Sequence, residues 1–448
     1  MASTQEPFSQ AATNWDLERL YTDLASAKRE VAPHKSPGLT EVEKTHLRGL
    51  LCSYRPTEIA SRLNKQAKGV EVDLSNTLYR YIEVLTTRPI NTVKSWRDIV
   101  NWLEAAGYKT SEQQETVDWG EAPDISTGFY GRDKELETLT EWVLRDRCRL
   151  IALLGMGGIG KTALCVRLTE QIQDKFEYVI WRSLRHAPPF EAMLADLISF
   201  LSNQQETQAD LSRLVNYFRS SRCLVVLDEA DAILRPGNPV GHYQEGYEEY
   251  GELLRRVGEE RHQSCLVLIS QEKLREIALQ EGDRRLVRWL PLSSLGEAAE
   301  EIFREKDLFY EEEKWQILIK LYRGNPLALK LVSTTIQDLF GGSVSNFLEQ
   351  NTIVIGNDFR QILEQHFVRL SELEKKIMYE LAVHTEPIPL SQLAENISLT
   401  VSRSEIIEAL DSLGRRSLIE KSKVADEVLF TLQPVVMKYV KRTYPEGL

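Results

Sequence analysis

One stretch constrains this chain more than any other: Gly155-Met156-Gly157-Gly158-Ile159-Gly160-Lys161-Thr162, which fits G-x-x-x-x-G-K-[ST], the phosphate-binding P-loop. The apolar run Arg149–Leu154 before it has the length of a buried parallel strand. Ala163-Leu164-Cys165-Val166-Arg167-Leu168 after it reads as a helix, so the motif has its strand–loop–helix context. The glycines let the backbone turn tightly and bring N–H groups onto phosphate oxygens, and the helix start adds the positive end of its dipole. Lys161 supplies a mobile ammonium for the β- and γ-phosphates, and Thr162 a hydroxyl for Mg²⁺.

Downstream, Tyr178–Trp181, Cys223–Asp228, Cys265–Ser270 and Leu286–Leu290 read as further strands alternating with helices. With the P-loop strand they predict a parallel five-stranded sheet between helical layers. Cys223–Leu227 ends in Asp228-Glu229, a Walker B pattern. Asp228 would hold Mg²⁺, mostly through water, and Glu229 would polarise the attacking water, so Asp228, Glu229 and Lys161 form the candidate catalytic set. Arg182 beside Trp181 lies either near the nucleotide or on a solvated strand end. Tyr243, Tyr247 and Tyr250 form either a docking surface or local loop packing.

Ahead of this module, the spacing predicts a helix over Trp15–Arg29, a capped helix from Thr40 to about Leu51, a short helix over Pro56–Leu63, and a turn at Asn64–Gly69. One long helix over Val70–Leu85 and another over Asn91–Ala106 follow. This is helix-turn-helix grammar. Between Thr40 and Thr86 seven basic residues face six acidic ones, and the candidate recognition helix opens with Glu71 and Asp73. That balance favours a protein partner over nucleic acid. The whole chain, 448 residues with net charge −12, lacks the basic footprint of a nucleic-acid coat. No apolar run reaches membrane-spanning length and no secretory leader is evident. The five cysteines lack CxxC spacing and read as core residues of a cytoplasmic protein.

Beyond Gly296 the pattern turns helical, with Gly324-Asn325-Pro326-Leu327-Ala328-Leu329 opening a helix at Pro326. From Leu370 three helices and a hairpin (Leu418–Lys421, Val428–Leu432) predict a winged helix. The expected organisation is multidomain. It comprises an N-terminal helix and flexible tail over 1–38, an all-α helix-turn-helix-like domain over 39–110 and a linker over 111–127. An α/β P-loop nucleotide-binding domain over 128–294, a helical subdomain over 295–366 and a C-terminal winged helix over 367–448 follow.

Taken together, Phe-Tyr-Gly-Arg-Asp at 129–133, the P-loop, Leu-Val-Val-Leu-Asp-Glu at 224–229 and the Gly-Asn-Pro motif, followed by a winged helix, resemble an NB-ARC module. The resemblance covers about Phe129 to Leu448. It places the chain among the STAND signal-transduction ATPases, relatives of plant disease-resistance and apoptosome-forming proteins. The N-terminal unit more weakly resembles the helix-turn-helix domain ahead of cyanobacterial NB-ARC modules, and its Glu58-Ile59-Ala60-Ser61-Arg62-Leu63 resembles the core of LuxR-like DNA-binding domains.

The family resemblance implies an ATP/ADP and Mg²⁺ site. Its nucleotide-binding set would be Phe129 at the adenine, Arg132 near the phosphates, Gly155, Met156, Gly157, Gly158, Ile159, Gly160, Lys161, Thr162 and Ala163, then Ser270, Pro326 and Gln433. Thr162 and Asp228 would ligate the metal. It further implies a closed ADP state, an ATP state that self-associates or recruits a protein partner through the N-terminal domain, and slow Mg²⁺-dependent hydrolysis. The alternatives are a DNA-binding regulator controlled by the ATPase, or a helper ATPase acting on a partner. Two departures touch the site: Gln271 stands where the family often has a γ-phosphate-sensing Arg, and Gln433 aligns with a His that contacts ADP. A third is that most relatives continue into repeats that sense the trigger, whereas this chain stops at Leu448; the sensor is then another protein, a missing segment or the N-terminal unit.

Overall fold

The computed structural model describes residues 7–8, 11–52, 54–109, 116–125, 128–282, 286–384, 386–397, 401–424 and 427–444. The chain divides into two compact units, Met1–Glu115 and Thr116–Leu448. Much of the expected tail and of the linker lies outside the described residues. Among them no helix is long and apolar enough to cross a membrane.

The first unit is helical. Asp16 caps Leu17–Val31, and Thr40 with Glu43 forms the expected reciprocal cap of Glu41–Leu51. Pro56–Arg62 and Ala67–Asn76 follow, then Leu78–Leu85. The single helix expected over 70–85 is therefore two, and it begins earlier. The break falls at Thr77, in a Ser75-Asn76-Thr77 run. The Ser75 and Thr77 hydroxyls donate to the carbonyls of Glu71 and Asp73, in competition with the backbone ladder. The helix expected from Asn91 starts only at Trp96, because Ser95 and Asp98 cap it there. Leu20, Leu24, Leu47, Leu50, Ile59, Leu74, Ile82 and Leu103 build one core.

The second unit is organised on a parallel sheet of six strands, not five. These are β1 (Val117–Asp118), β2 (Leu150–Leu154), β3 (Tyr178–Ser183), β4 (Cys223–Asp228), β5 (Cys265–Ser270) and β6 (Val287–Pro291), in the spatial order β1-β3-β4-β5-β2-β6. The added strand is β1, which lies in the segment read as a linker. It is two residues long, set in polar sequence, and joined to β3 by pairing of Val117 with Val179. Arg182 secures it by gripping Asp118 at 2.7 Å while also pairing with Asp196. Trp119 packs on Trp181, ring centroids 6.4 Å apart. Arg182 is thus an edge-strand tether. β2, β4 and β5 are buried along their whole length, as central parallel strands covered on both faces must be.

Tyr243, Tyr247 and Tyr250 turn inward. Their hydroxyls donate to Glu276, to the Ala187 carbonyl and to the Pro188 carbonyl, which is local packing and not a docking surface. Cys148, Cys165, Cys223 and Cys265 are buried free thiols.

After β6 the chain builds a lid. Helices Glu300–Glu305, Glu312–Leu321, Pro326–Phe340 and Val344–Leu348 come first, and then Asn357–Val368, here called the bridging helix. The C-terminal subdomain has helices Glu372–Val383, Leu390–Asn396, Arg403–Arg415 and Pro434–Thr443, with an antiparallel sheet of β7 (Ile388–Pro389), β8 (Glu420–Val424) and β9 (Glu427–Thr431) in the order β7-β9-β8. One hydrophobic core runs through both parts of the lid, from Ile302 and Trp315 through Phe359 and Phe367 to Val436 and Val440. The P-loop residue Met156 inserts into it.

Candidate functional site

β2 delivers the P-loop and β4 delivers the acids at the same end of the sheet. The loop depends on left-handed glycines: Gly158 has φ 77° and Gly160, which precedes helix Lys161–Ile172, has φ 98°. An L side chain at either position is strained. The Lys161 ammonium donates to the carbonyls of Gly155 at 2.8 Å and Met156 at 3.2 Å. Burial pulls its pKa down to about 8, against the opposing pull of Asp231, Asp228 and Glu229. The Asp228 carboxyl is pushed up to about 6, chiefly by burial. It accepts from the Glu229 N–H at 2.8 Å and from the Thr162 hydroxyl, both of which favour its ionised form. The structure thus brings Lys161, Thr162, Asp228 and Glu229 together, as the motifs demand.

The donor set fits a phosphate and a hard cation. Lys161 opens helix Lys161–Ile172, whose first N–H groups and dipole suit an anion. The Thr162 hydroxyl beside the Asp228 carboxylate offers two oxygens of the kind Mg²⁺ takes. Arg132 is buried and spends its fork on Glu135 at 2.7 Å, the Ser293 carbonyl at 2.7 Å and the Ile159 carbonyl at 3.1 Å. It holds the P-loop in place, and its buried Nε has no partner among the described residues. Phe129 packs beside the sheet with the Arg167 guanidinium 5.8 Å from its ring centroid. Ala163 lies in the first turn of the P-loop helix. Ser270 ends β5, and its hydroxyl accepts from the Glu272 N–H at 3.1 Å.

The lid reaches the loop through residues that sequence reasoning missed. His366, near the end of the bridging helix, accepts at Nε2 from the Gly157 N–H at 3.2 Å. Asn325, the cap of helix Pro326–Phe340, donates to the Gly157 carbonyl at 3.0 Å, and the Leu327 N–H reaches the Gly158 carbonyl at 3.3 Å. Pro326 opens that helix between them. A Cβ on Gly157 would stand 2.5 Å from Ile362, and one on Gly158 2.8 Å from the Leu327 Cβ, so only glycine lets the lid close this far. Burial, then Lys161, lowers the His366 pKa to about 4, so the ring is neutral and free to accept. Gln433 stands at the start of helix Pro434–Thr443, where its carbonyl accepts from the Met437 N–H. The imidazole that meets the P-loop comes from His366, not from the aligned position.

A second seam lies one step away. Glu272, almost fully buried, takes Arg369 at 2.6 Å and Arg416 at 2.5 Å on one carboxylate oxygen. Arg416 also approaches Glu374 at 3.4 Å and donates to the Asn238 carbonyl at 2.7 Å. Burial raises the Glu272 pKa and the two guanidinium groups oppose it. The loop after β5 is thereby tied to the bridging helix and the C-terminal subdomain. Gln271, in that loop, donates its N–H to Asp231 at 3.0 Å.

Glu229 adopts a left-handed backbone, φ 57° and ψ 39°. Its carboxylate accepts from Ser183 at 2.9 Å and from Arg185, whose Nε lies 3.0 Å from both oxygens. Asn325 stood inside a motif already noticed, and Arg185 stood just past a strand already read. His366 carried no signal in the sequence.

The chain is 47% identical over 375 residues to an uncharacterized WD repeat-containing protein of Nostoc sp., covering 76% of this chain and 29% of that protein. It is 23% identical over 277 residues to a disease resistance-like protein of Arabidopsis thaliana, covering 58% of this chain and 21% of the relative. The chain therefore spans less than a third of either relative. Its fold matches that of a Walker-type ATPase of Pyrococcus abyssi with a TM-score of 0.51 at 15% identity, over 70% of this chain and 96% of that one. Residues 132–231, which hold the P-loop, the β4 acids and Arg185, match the NB-ARC domain family model.

Proposed function

We propose that this protein is a nucleotide-controlled switch of the STAND type. It binds ADP under a closed lid, and exchange for ATP with Mg²⁺ loosens the lid so that the chain self-associates or recruits a protein partner. The lid's C-terminal subdomain takes the part of the winged helix, and the N-terminal helical unit that of the partner-binding module. The disease-resistance relative supports a place in signalling or defence.

One observation carries the reading. The Gly157 N–H is a P-loop donor, and the lid's His366 takes it. A phosphate oxygen and the lid therefore compete for the same group, which couples what is bound to where the lid lies. Lys161 holds the phosphate charge, Thr162 and Asp228 the metal, and Arg132 the loop. When bound, Mg²⁺ neutralises phosphate charge; Glu229 orients the water for hydrolysis.

The test is to purify the chain without added nucleotide, denature it and identify what is released, with molar mass by light scattering in ADP and in ATP plus Mg²⁺. Bound ADP on a monomer that grows only with ATP is the expected result, and Lys161→Ala abolishes both. A mass indifferent to nucleotide, with steady turnover, means a constitutive ATPase and overturns the switch.

A further inference from the structure

We propose that Arg185 is the residue that recognises the terminal phosphate of a bound triphosphate, and that here it is held in reserve on Glu229. The inference rests on the nucleotide-binding reading above and assigns a role that the P-loop motifs leave open.

Charge makes the first argument. Three carboxylates, Asp228, Glu229 and Asp231, surround Lys161. A triphosphate brings more negative charge than a diphosphate to this place, and its extra group needs a cation of its own. Gln271, which stands about 3.9 Å from where a Gly157 Cβ would be, is neutral. A cleft of about 890 Å³ opens here, lined by Arg185, Glu229, Asp231, Gln271 and Arg369 among others.

The cleft offers two guanidinium groups. Arg369 is committed: its Nε is on buried Glu272 and its NH2 reaches the Leu234 carbonyl, with the side chain 16% exposed. Arg185 is 67% exposed, and the side chain it pairs with is Glu229. Its backbone is anchored apart from that pair: the Arg185 N–H donates to the Ser183 hydroxyl at 3.2 Å, and the Leu184 N–H to the Asp228 carbonyl at 2.8 Å. A long side chain on an anchored turn, at the mouth of the cleft, can exchange one anion for another without moving the fold.

The pairing explains the second feature. Glu229 holds a backbone conformation that non-glycine residues rarely adopt, and this aims its carboxylate at Ser183 and Arg185. The guanidinium fork fits a carboxylate or a phosphate, and the more highly charged phosphate is the stronger partner. Transfer of Arg185 to the phosphate then frees Glu229. Detecting the triphosphate and releasing the carboxylate become one event.

Calorimetry with a non-hydrolysable ATP analogue and with ADP, each with Mg²⁺, tests this on the full chain. Arg185→Ala should weaken the analogue at least tenfold and leave ADP within about twofold; Arg185→Lys should recover part of the loss. Glu229→Gln should tighten the analogue only while Arg185 is present, so the double variant shows a coupling that the single variants lack. Equal weakening of both nucleotides, or of neither, overturns the role of Arg185. Failure of the nucleotide-binding reading looks different: wild type binds neither ligand, or Lys161→Ala binds both as wild type does, and the proposal falls with it. Unchanged thermal unfolding of Arg185→Ala separates lost recognition from lost fold.

Discussion

The middle of the sheet and the seam under the lid are held by different physics. β2, β4 and β5 pair through long registers and bury Leu150, Ala152, Val225, Leu266 and Leu268 between helices. Nothing there can be exchanged: apolar burial has no alternative partner to offer. At the seam, the contacts that tie the lid to the loops are polar, and each has a partner that a ligand or water can replace. His366 on Gly157, Asn325 on Gly157 and two arginines on Glu272 hold the lid. Apolar contact joins them at Met156, which inserts from the P-loop into the lid's own core, and where Ile362 and Leu327 close on Gly157 and Gly158. The contrast separates a platform from a releasable cover.

The largest break in that contrast comes from Glu272→Ala. It leaves the buried Arg416 and the half-buried Arg369 without their shared carboxylate, at a cost of about 3 kcal/mol or more. Hydrogen exchange should show the bridging helix losing protection while β4 and β5 keep theirs. Leu266→Ala should do the reverse, removing about 3–4 kcal/mol from the sheet and lowering the urea midpoint of the whole nucleotide unit. If both variants lose protection at the same places, the platform and the cover are one cooperative body.

Acid should loosen the cover next. The His366 pKa is lowered from 6.5 to about 4 by burial and Lys161, with Arg369 and Arg416 acting the same way and Asp231 opposing. The unfolded or opened chain then binds more protons between these values. The stabilisation is fully present above about pH 6.5 and is lost as pH falls towards 4, some 3 kcal/mol in all. Unfolding of wild type against His366→Gln across that range measures it, and parallel profiles would show that the ring carries no such linkage. The smallest effect belongs to Asp118→Asn. A partly exposed ion pair is worth less than about 1 kcal/mol, so β1 should fray while nucleotide affinity holds.

What could be read in advance follows the same division. The five long strands announced themselves through apolar runs, most plainly β2, β4 and β5, which are buried on both faces, and the P-loop and Asp228-Glu229 because phosphate and metal chemistry fix residue type and spacing. β1 was hidden, since two residues held by backbone pairing and a single arginine leave no periodicity. The break at Thr77 was hidden by an apolar pattern that continues through it. The seam was the least legible part. Asn325, His366 and Glu272 act across the fold on partners between 97 and 209 residues away, and no local pattern encodes such distances.

The order of the strands has a mechanical consequence. β1 and β6 lie at opposite margins of the sheet. Five strand spacings of about 4.8 Å put roughly 24 Å between them. The chain from the N-terminal unit arrives beside β1, and the lid departs just after β6. The sheet is then a stator with two margins: one, at β6, carries the moving arm, and the other, at β1, lies on ground that the arm does not shift. A displacement of the arm passes to β1 through the sheet, across β2, β5, β4 and β3 in turn.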